Sequence, residues 1–184
     1  MRIAVLNGPN LNLLGQREPE VYGRTSLAEI EAMVRKAAEP LGAQISWFQT
    51  NHEGGMVEAV QGLRGRVDGA LINAAALTHS SLALRDALLA VKIPFVELHL
   101  SNIFAREPER RHSVIADLAI GMVTGFGPQS YLLALQALVG RLRAAGPPRR
   151  APGSPAGRAV QRGGRKIGDS RSGVRSARSG SSRG

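Results

Sequence analysis

The chain has 184 residues, a formal net charge of +10 and no cysteine. That length suffices for one domain with a proper core, and the lack of cysteine excludes disulfides, thiolate catalysis and thiolate zinc sites while fitting a reducing, cytoplasmic setting. The charge is concentrated at one end, because the stretch from Ala145 to Gly184 holds nine Arg and one Lys against one Asp, whereas the first 144 residues hold 14 basic and 13 acidic side chains.

Arg2-Ile3-Ala4-Val5-Leu6 has the length and apolar character of a strand buried on both faces of an α/β sheet. The pattern breaks at once into Asn7-Gly8-Pro9-Asn10-Leu11-Asn12, a turn rich in asparagine, followed by a loop from Gln16 to Gly23 that carries Arg17 and Tyr22. Ser26-Leu27-Ala28-Glu29 has capping-box spacing and predicts a helix whose apolar stripe runs from Leu27 to Leu41, with Gly42 ending it. A second strand is expected over Ile45 to Gln49. The stretch from Asn51 to Gly55 reads as a polar turn, and Met56 to Leu63 as a short helix.

Gly69 to Asn73 reads as a third strand, and Ser80 or Ser81 as the cap of a helix running through Val91. A fourth strand is expected from Phe95 to Leu98, a fifth within Ala119 to Val123, and a closing amphipathic helix from Tyr131 to Arg143. Five strands alternating with helices predict an α/β, flavodoxin-like domain over residues 1–144, with a parallel sheet doubly wound by helices on both faces. No run approaches the 18 apolar residues of a membrane span, and the apolar stretch before Asn7 is too short for a signal-peptide core.

The stretch from residue 145 onward consists of Gly, Ser, Pro, Ala and Arg, with scattered aliphatics and no aromatic residue. It cannot bury enough surface to offset its chain entropy and is expected to be disordered. Its arginines would suit contact with nucleic acid or another anionic surface, but the stacking half of a single-strand site is missing. A functionless extension accounts for the same composition.

Polar, chemically capable residues recur at strand ends: Asn10 and Asn12 after the first strand, Asn73 and then His79 after the third, and Glu97, His99, Ser101 and Asn102 at the fourth. In a parallel sheet these ends share one edge, which is where ligands of open α/β sheets bind. A phosphate-cradling loop is excluded by the wide separation of Gly8 and Gly15, and a metal site is disfavoured because His79 and His99 lack ligand spacing. A serine nucleophile is disfavoured because Ser101 lacks a glycine-flanked elbow. Acid–base chemistry on a small polar molecule remains, with His99, His79, Glu97 and Tyr22 as the candidate bases.

The first turn, the Arg17 to Tyr22 loop, Asn73-Ala74-Ala75-Ala76-Leu77-Thr78-His79-Ser80-Ser81, Val96-Glu97-Leu98-His99-Leu100-Ser101-Asn102, and Arg106-Glu107 through Ser113 together resemble type II 3-dehydroquinate dehydratases. The resemblance implies a flavodoxin-like fold, a dodecamer built of trimers, and cofactor-free anti elimination of water from 3-dehydroquinate through an enolate. It implies Tyr22 as proton acceptor, Arg17 as stabiliser of its phenolate and of the transition state, and His99 as proton donor oriented by Glu97. Asn10 is implied to hold the water that stabilises the enolate. Substrate binding is implied for Asn73, His79, Leu100, Ser101 and Arg110, ordering of a loop for Arg106, and reach into a neighbouring subunit's site for Asp86.

Bringing a tyrosine into the range of a base near neutrality costs about 4 kcal/mol. One guanidinium at about 4 Å in an effective dielectric of about 20 supplies about that much. Ala74 stands where the family usually has proline and Leu77 where it has tyrosine, which predicts a looser turn after Asn73. Glu109 replaces a bulky apolar residue and is expected to bring negative charge toward the substrate carboxylate. A non-catalytic flavodoxin-like binding module, with the basic tail contacting nucleic acid, is the alternative reading.

Overall fold

In the computed structural model, which describes residues 1–15 and 24–146, five strands form one sheet in the order β2-β1-β3-β4-β5. The strands are β1 Arg2–Asn7, β2 Gln44–Gln49, β3 Gly69–Asn73, β4 Phe95–His99 and β5 Gly121–Thr124, and every pairing is parallel. The helices are α1 Leu27–Ala38, α2 Glu53–Gln61, α3 Leu82–Val91 and α4 Gln129–Ala144. This is the flavodoxin-like order, whose chain reversal falls between β1 and β3.

Alternation along the central strands divides the core in two. Ile3 and Val5 of β1 pack with Ile30 and Val34 of α1 and with Leu135 and Leu138 of α4. Ala4 and Leu6 face the other way, onto Met56 and Val60 of α2 and Leu84 and Leu88 of α3. Burial on both faces explains why β1, β3 and β4 read as continuous apolar runs, whereas the edge strand β2 alternates between exposed and half-buried residues.

Both expected caps form. The Ser26 hydroxyl accepts from the amide of Glu29 at 3.2 Å while the Glu29 carboxylate accepts from the amide of Ser26 at 2.7 Å, and those Ser26 donors hold the Glu29 carboxyl below its usual range. Of the two candidate serines, Ser81 caps α3, accepting from the amide of Leu84 at 2.9 Å.

Three boundaries differ from expectation. Helix α1 ends at Ala38, and Glu39 to Gly42 form a turn closed by the left-handed Gly42 at φ 61, so the tail of the apolar stripe packs from a turn. Helix α2 begins at Glu53. The glycine pair lies in its first turn because Gly55 packs against Thr50, whose Oγ1 would stand 2.8 Å from an added Cβ. Strand β5, Gly121–Thr124, starts within the expected stretch and ends one residue beyond it.

Among the described residues, no helix is long and apolar enough to cross a membrane. The expected disorder after residue 146 and the Arg17 to Tyr22 loop lie outside the described residues.

Candidate active site

Each strand ends on a polar residue at the same edge of the sheet: Asn7, Gln49, Asn73, His99 and Thr124. The parallel register sets Asn7 beside Asn73 and His99 beside Thr124. A cavity of about 140 Å³ opens at this edge, lined by Asn10, Asn73, His99, Ser101, Arg106 and Arg110 among its polar groups, with Leu11, Leu13 and Leu14 on the apolar side.

The turn after β1 is shaped by close backbone approach. The Gly8 amide donates to the carbonyl of Asn73 at 2.8 Å, and a Cβ on Gly8 would stand 2.3 Å from the carbonyl oxygen of Ala74, so no side chain fits. Asn10 then takes a left-handed conformation, φ 67, and its amide donates to Oδ1 of Asn51 at 2.9 Å. Asparagine tolerates this backbone better than most residues do.

At the end of β3, Asn73 is 2% exposed. Its Nδ2 donates to the Tyr131 hydroxyl at 3.0 Å, and its Oδ1 accepts from the amide of Ala75 at 3.3 Å. The turn expected to be looser at Ala74 and Leu77 is hydrogen-bonded and carries Ala75 in a left-handed conformation, φ 52. Residues Ala75–His79 form a tight helical turn closed by the Leu77 amide on the carbonyl of Ala74 at 3.1 Å, and Ala74 is fully buried.

His79 ends that turn and is paired reciprocally with His112. His79 Nδ1 lies 2.6 Å from the carbonyl of His112, and His112 Nε2 lies 3.0 Å from the carbonyl of His79. A carbonyl only accepts, so both of these nitrogens carry hydrogens and Nε2 of neutral His79 offers a lone pair. Burial draws the His79 imidazole below its ordinary range, which favours that neutral form.

At the end of β4, Glu97 is fully buried and His99 is 5% exposed. Glu97 Oε1 accepts from Nε2 of His99 at 2.8 Å and from the Thr78 hydroxyl, while its Oε2 accepts from the Ser113 hydroxyl at 2.8 Å. Three donors compensate the desolvation of a buried carboxylate and fix the hydrogen of His99 on Nε2, leaving Nδ1 as the nitrogen that can take or give a proton. Beyond β4, Arg106 donates to the Ser101 hydroxyl, Thr124 donates to the carbonyl of Ser101 at 2.8 Å, and Arg110 pairs with Glu107 at 2.5 Å.

Residues 1–139 match the family model described as dehydroquinase class II. A 3-dehydroquinate dehydratase of a Synechococcus species is 54% identical over 143 residues, covering 78% of this chain and 98% of the relative. The chain belongs to the class II dehydroquinases. A catabolic 3-dehydroquinase of Neosartorya fischeri is also 54% identical, over 134 residues that cover 73% of this chain and 89% of that protein. The crystal structure of the type II dehydroquinase of Butyrivibrio crossotus superposes with a TM-score of 0.73 at 37% identity, covering 75% of this chain and 97% of that one.

Of the residues that the resemblance to this family singled out, Asn10, Asn73, His99, Leu100, Ser101, Arg106 and Arg110 line this cavity. Glu97 stands directly behind His99, whereas His79, paired with His112, does not line the cavity. Asp86 is exposed on α3 and does not line the cavity, and neither does the exposed Glu109. Arg17 and Tyr22 lie outside the described residues. Sequence reasoning missed Thr78, Ser113 and Tyr131 as supports of the site. Among the described residues, no group of three or more His, Asp or Glu is arranged to hold a metal ion.

Proposed function

We propose that the protein is a 3-dehydroquinate dehydratase that eliminates water from 3-dehydroquinate to give 3-dehydroshikimate, a step toward aromatic amino acids. Tyr22, its phenolate stabilised by Arg17, removes the proton beside the ketone, and the resulting enolate is stabilised by a water held at Asn10. His99, protonated on both nitrogens, passes the Nδ1 proton to the departing hydroxyl, which leaves as water while the enolate collapses to the conjugated enone. The Glu97 carboxylate accepts from Nε2 and so fixes the plane of the ring.

The observation that carries this reading is the buried His99–Glu97 pair, held by Thr78 and Ser113 and opening onto a cavity lined by Asn73, Ser101 and Arg110. The cavity can supply both parts of substrate recognition. Arg110 suits a carboxylate, and the side-chain amide of Asn73 with the hydroxyl of Ser101 suits ring hydroxyls.

The catalytic unit in this reading is residues 1–144, the working assembly a dodecamer of trimers in which Asp86 reaches a neighbouring site, and the compartment the cytoplasm. The test is the rise in enone absorbance when the purified chain meets 3-dehydroquinate, with Tyr22→Phe beside it and a borohydride treatment in the presence of substrate. Turnover that survives borohydride and is lost in Tyr22→Phe upholds the enolate route. No turnover by the intact chain overturns the assignment.

A further inference from the structure

A string of hydrogen bonds runs from the edge strand into the cavity, and both of its ends are backbone groups of fixed polarity. At one end the carbonyl of Phe48 accepts from Nδ2 of Asn7 at 3.1 Å. Asn7 must therefore turn its Oδ1 the other way, where it accepts from the Tyr131 hydroxyl at 2.6 Å. The phenol has one hydrogen and has given it to Asn7, so toward Asn73 its oxygen can only accept, and Asn73 Nδ2 donates to it at 3.0 Å. At the other end the amide of Ala75 donates to Oδ1 of Asn73 at 3.3 Å. Asn7 and Tyr131 are fully buried and Asn73 is nearly so, so no bulk water competes for these positions.

Only one arrangement of the two side-chain amides satisfies every member of the string. We propose that Tyr131 is a positioning residue that locks the side-chain amide of Asn73, so that this residue offers the bound substrate an N–H and demands an acceptor in return. The argument rests on the dehydratase reading for the identity of the substrate, but the locked amide itself belongs to the unliganded protein. The hydroxyl acts through Asn73 and has no contact with the reacting atoms. The ring of Tyr131 is occupied separately, stacked on Trp47 with centroids 5.8 Å apart and planes inclined by 29°, so removing the oxygen leaves the packing surface in place.

Two substitutions disturb the string from different sides. Tyr131→Phe removes the acceptor of Asn73 and keeps the ring. Asn7→Leu keeps the phenol but takes away the acceptor of its hydrogen, which then turns to Asn73 Oδ1 and favours the inverted amide. Each is expected to raise KM for 3-dehydroquinate about tenfold while kcat stays within about threefold, the pattern of lost substrate positioning. In an Asn73→Ala background, Tyr131→Phe should add nothing to KM, because the two residues act as one unit.

KM within about twofold of the parent in both variants, or an equal rise with and without Asn73, overturns the proposal. Should Tyr131→Phe fail to fold, Asn7→Leu carries the kinetic test alone. Nuclear magnetic resonance of the full chain labelled with 15N-asparagine supplies a readout that needs no turnover. One Asn73 Nδ2 hydrogen should exchange slowly in the parent and quickly in the variants. If the parent does not turn over 3-dehydroquinate, the dehydratase assignment falls. The lock then stands on slow exchange and falls on equal exchange in parent and variants.

Discussion

Glu97 and Glu107 lie ten residues apart in the chain, one bonded to His99 and one to Arg110, two residues that line the cavity, and they are held in opposite ways. Glu97 is fully buried and spreads its charge over Thr78, His99 and Ser113. Among the described residues Glu107 has one side-chain partner, Arg110, and the two side chains are 46% and 51% exposed, so both are open to water. A buried carboxylate with several donors has one stable geometry, and losing any donor leaves a group that water cannot reach. An exposed pair is screened and can exchange its partner for solvent at little cost. In the proposed mechanism the first arrangement suits Glu97 as the group that aims a proton, and the second suits Arg110 as a guanidinium that exchanges its neighbour for an incoming anion.

The strongest way to break this contrast is Glu97→Gln. One end of the new amide is a donor and meets hydroxyl and imidazole hydrogens that need acceptors, so kcat measured by enone absorbance should fall about 10²–10⁴-fold, the scale of a lost general acid. A fall below about tenfold would mean that burial gives Glu97 no special role in aiming His99.

Next in size is Gly8→Ala, which tests how rigid the buried edge is. Its Cβ would stand 2.3 Å from a backbone oxygen of Ala74, and urea unfolding should show a loss of about 1–3 kcal/mol. Gly54→Ala is the control in the open first turn of α2, where nothing stands within 4 Å of the added carbon; it should gain about 0.4–1 kcal/mol. Equal effects at the two positions would show that the edge yields.

His79 adds a smaller, pH-dependent effect. Burial holds its folded value below the ordinary 6.5, so as pH falls through that range the unfolded chain takes up a proton that the folded chain does not, and stability declines. The decline ends once pH passes below the folded value, where both states are protonated. In His79→Gln the urea midpoint should drop less between about pH 7.5 and pH 5.5 than in the parent. An identical drop would remove His79 from the list of acid-sensitive groups. The least effect is expected from Glu107→Gln, with KM changed by less than about twofold; a larger change would place Glu107 among the groups that orient Arg110.

The strands and helices were legible because their signals are local: a both-faces apolar run for β1, an alternating one for β2, a capping box at Ser26. The gathering of polar residues at the edge was legible because a parallel sheet brings together the ends of separate strands, so Asn73 and His99 could be placed at one cavity without knowing any contact. What stayed hidden depends on residues distant in sequence. Thr78 meets Glu97 across 19 positions and Tyr131 meets Asn73 across 58, and no periodicity encodes such a meeting. Tyr131 is further masked by its setting, since its ring reads as core on α4 and only one oxygen atom does anything else. The glycine pair at Gly54 and Gly55 misled for the converse reason: a turn signature stands where close packing against Thr50 calls for a small residue.

All five strands run in one direction, so the molecule has a reacting end and a far end. The far end, with Arg2, Gln44 and Gly69 at the strand starts, lies a strand's length of about 17 Å from the polar edge. A dye, a surface tether or a fusion partner attached there would leave the chemistry at the opposite rim undisturbed.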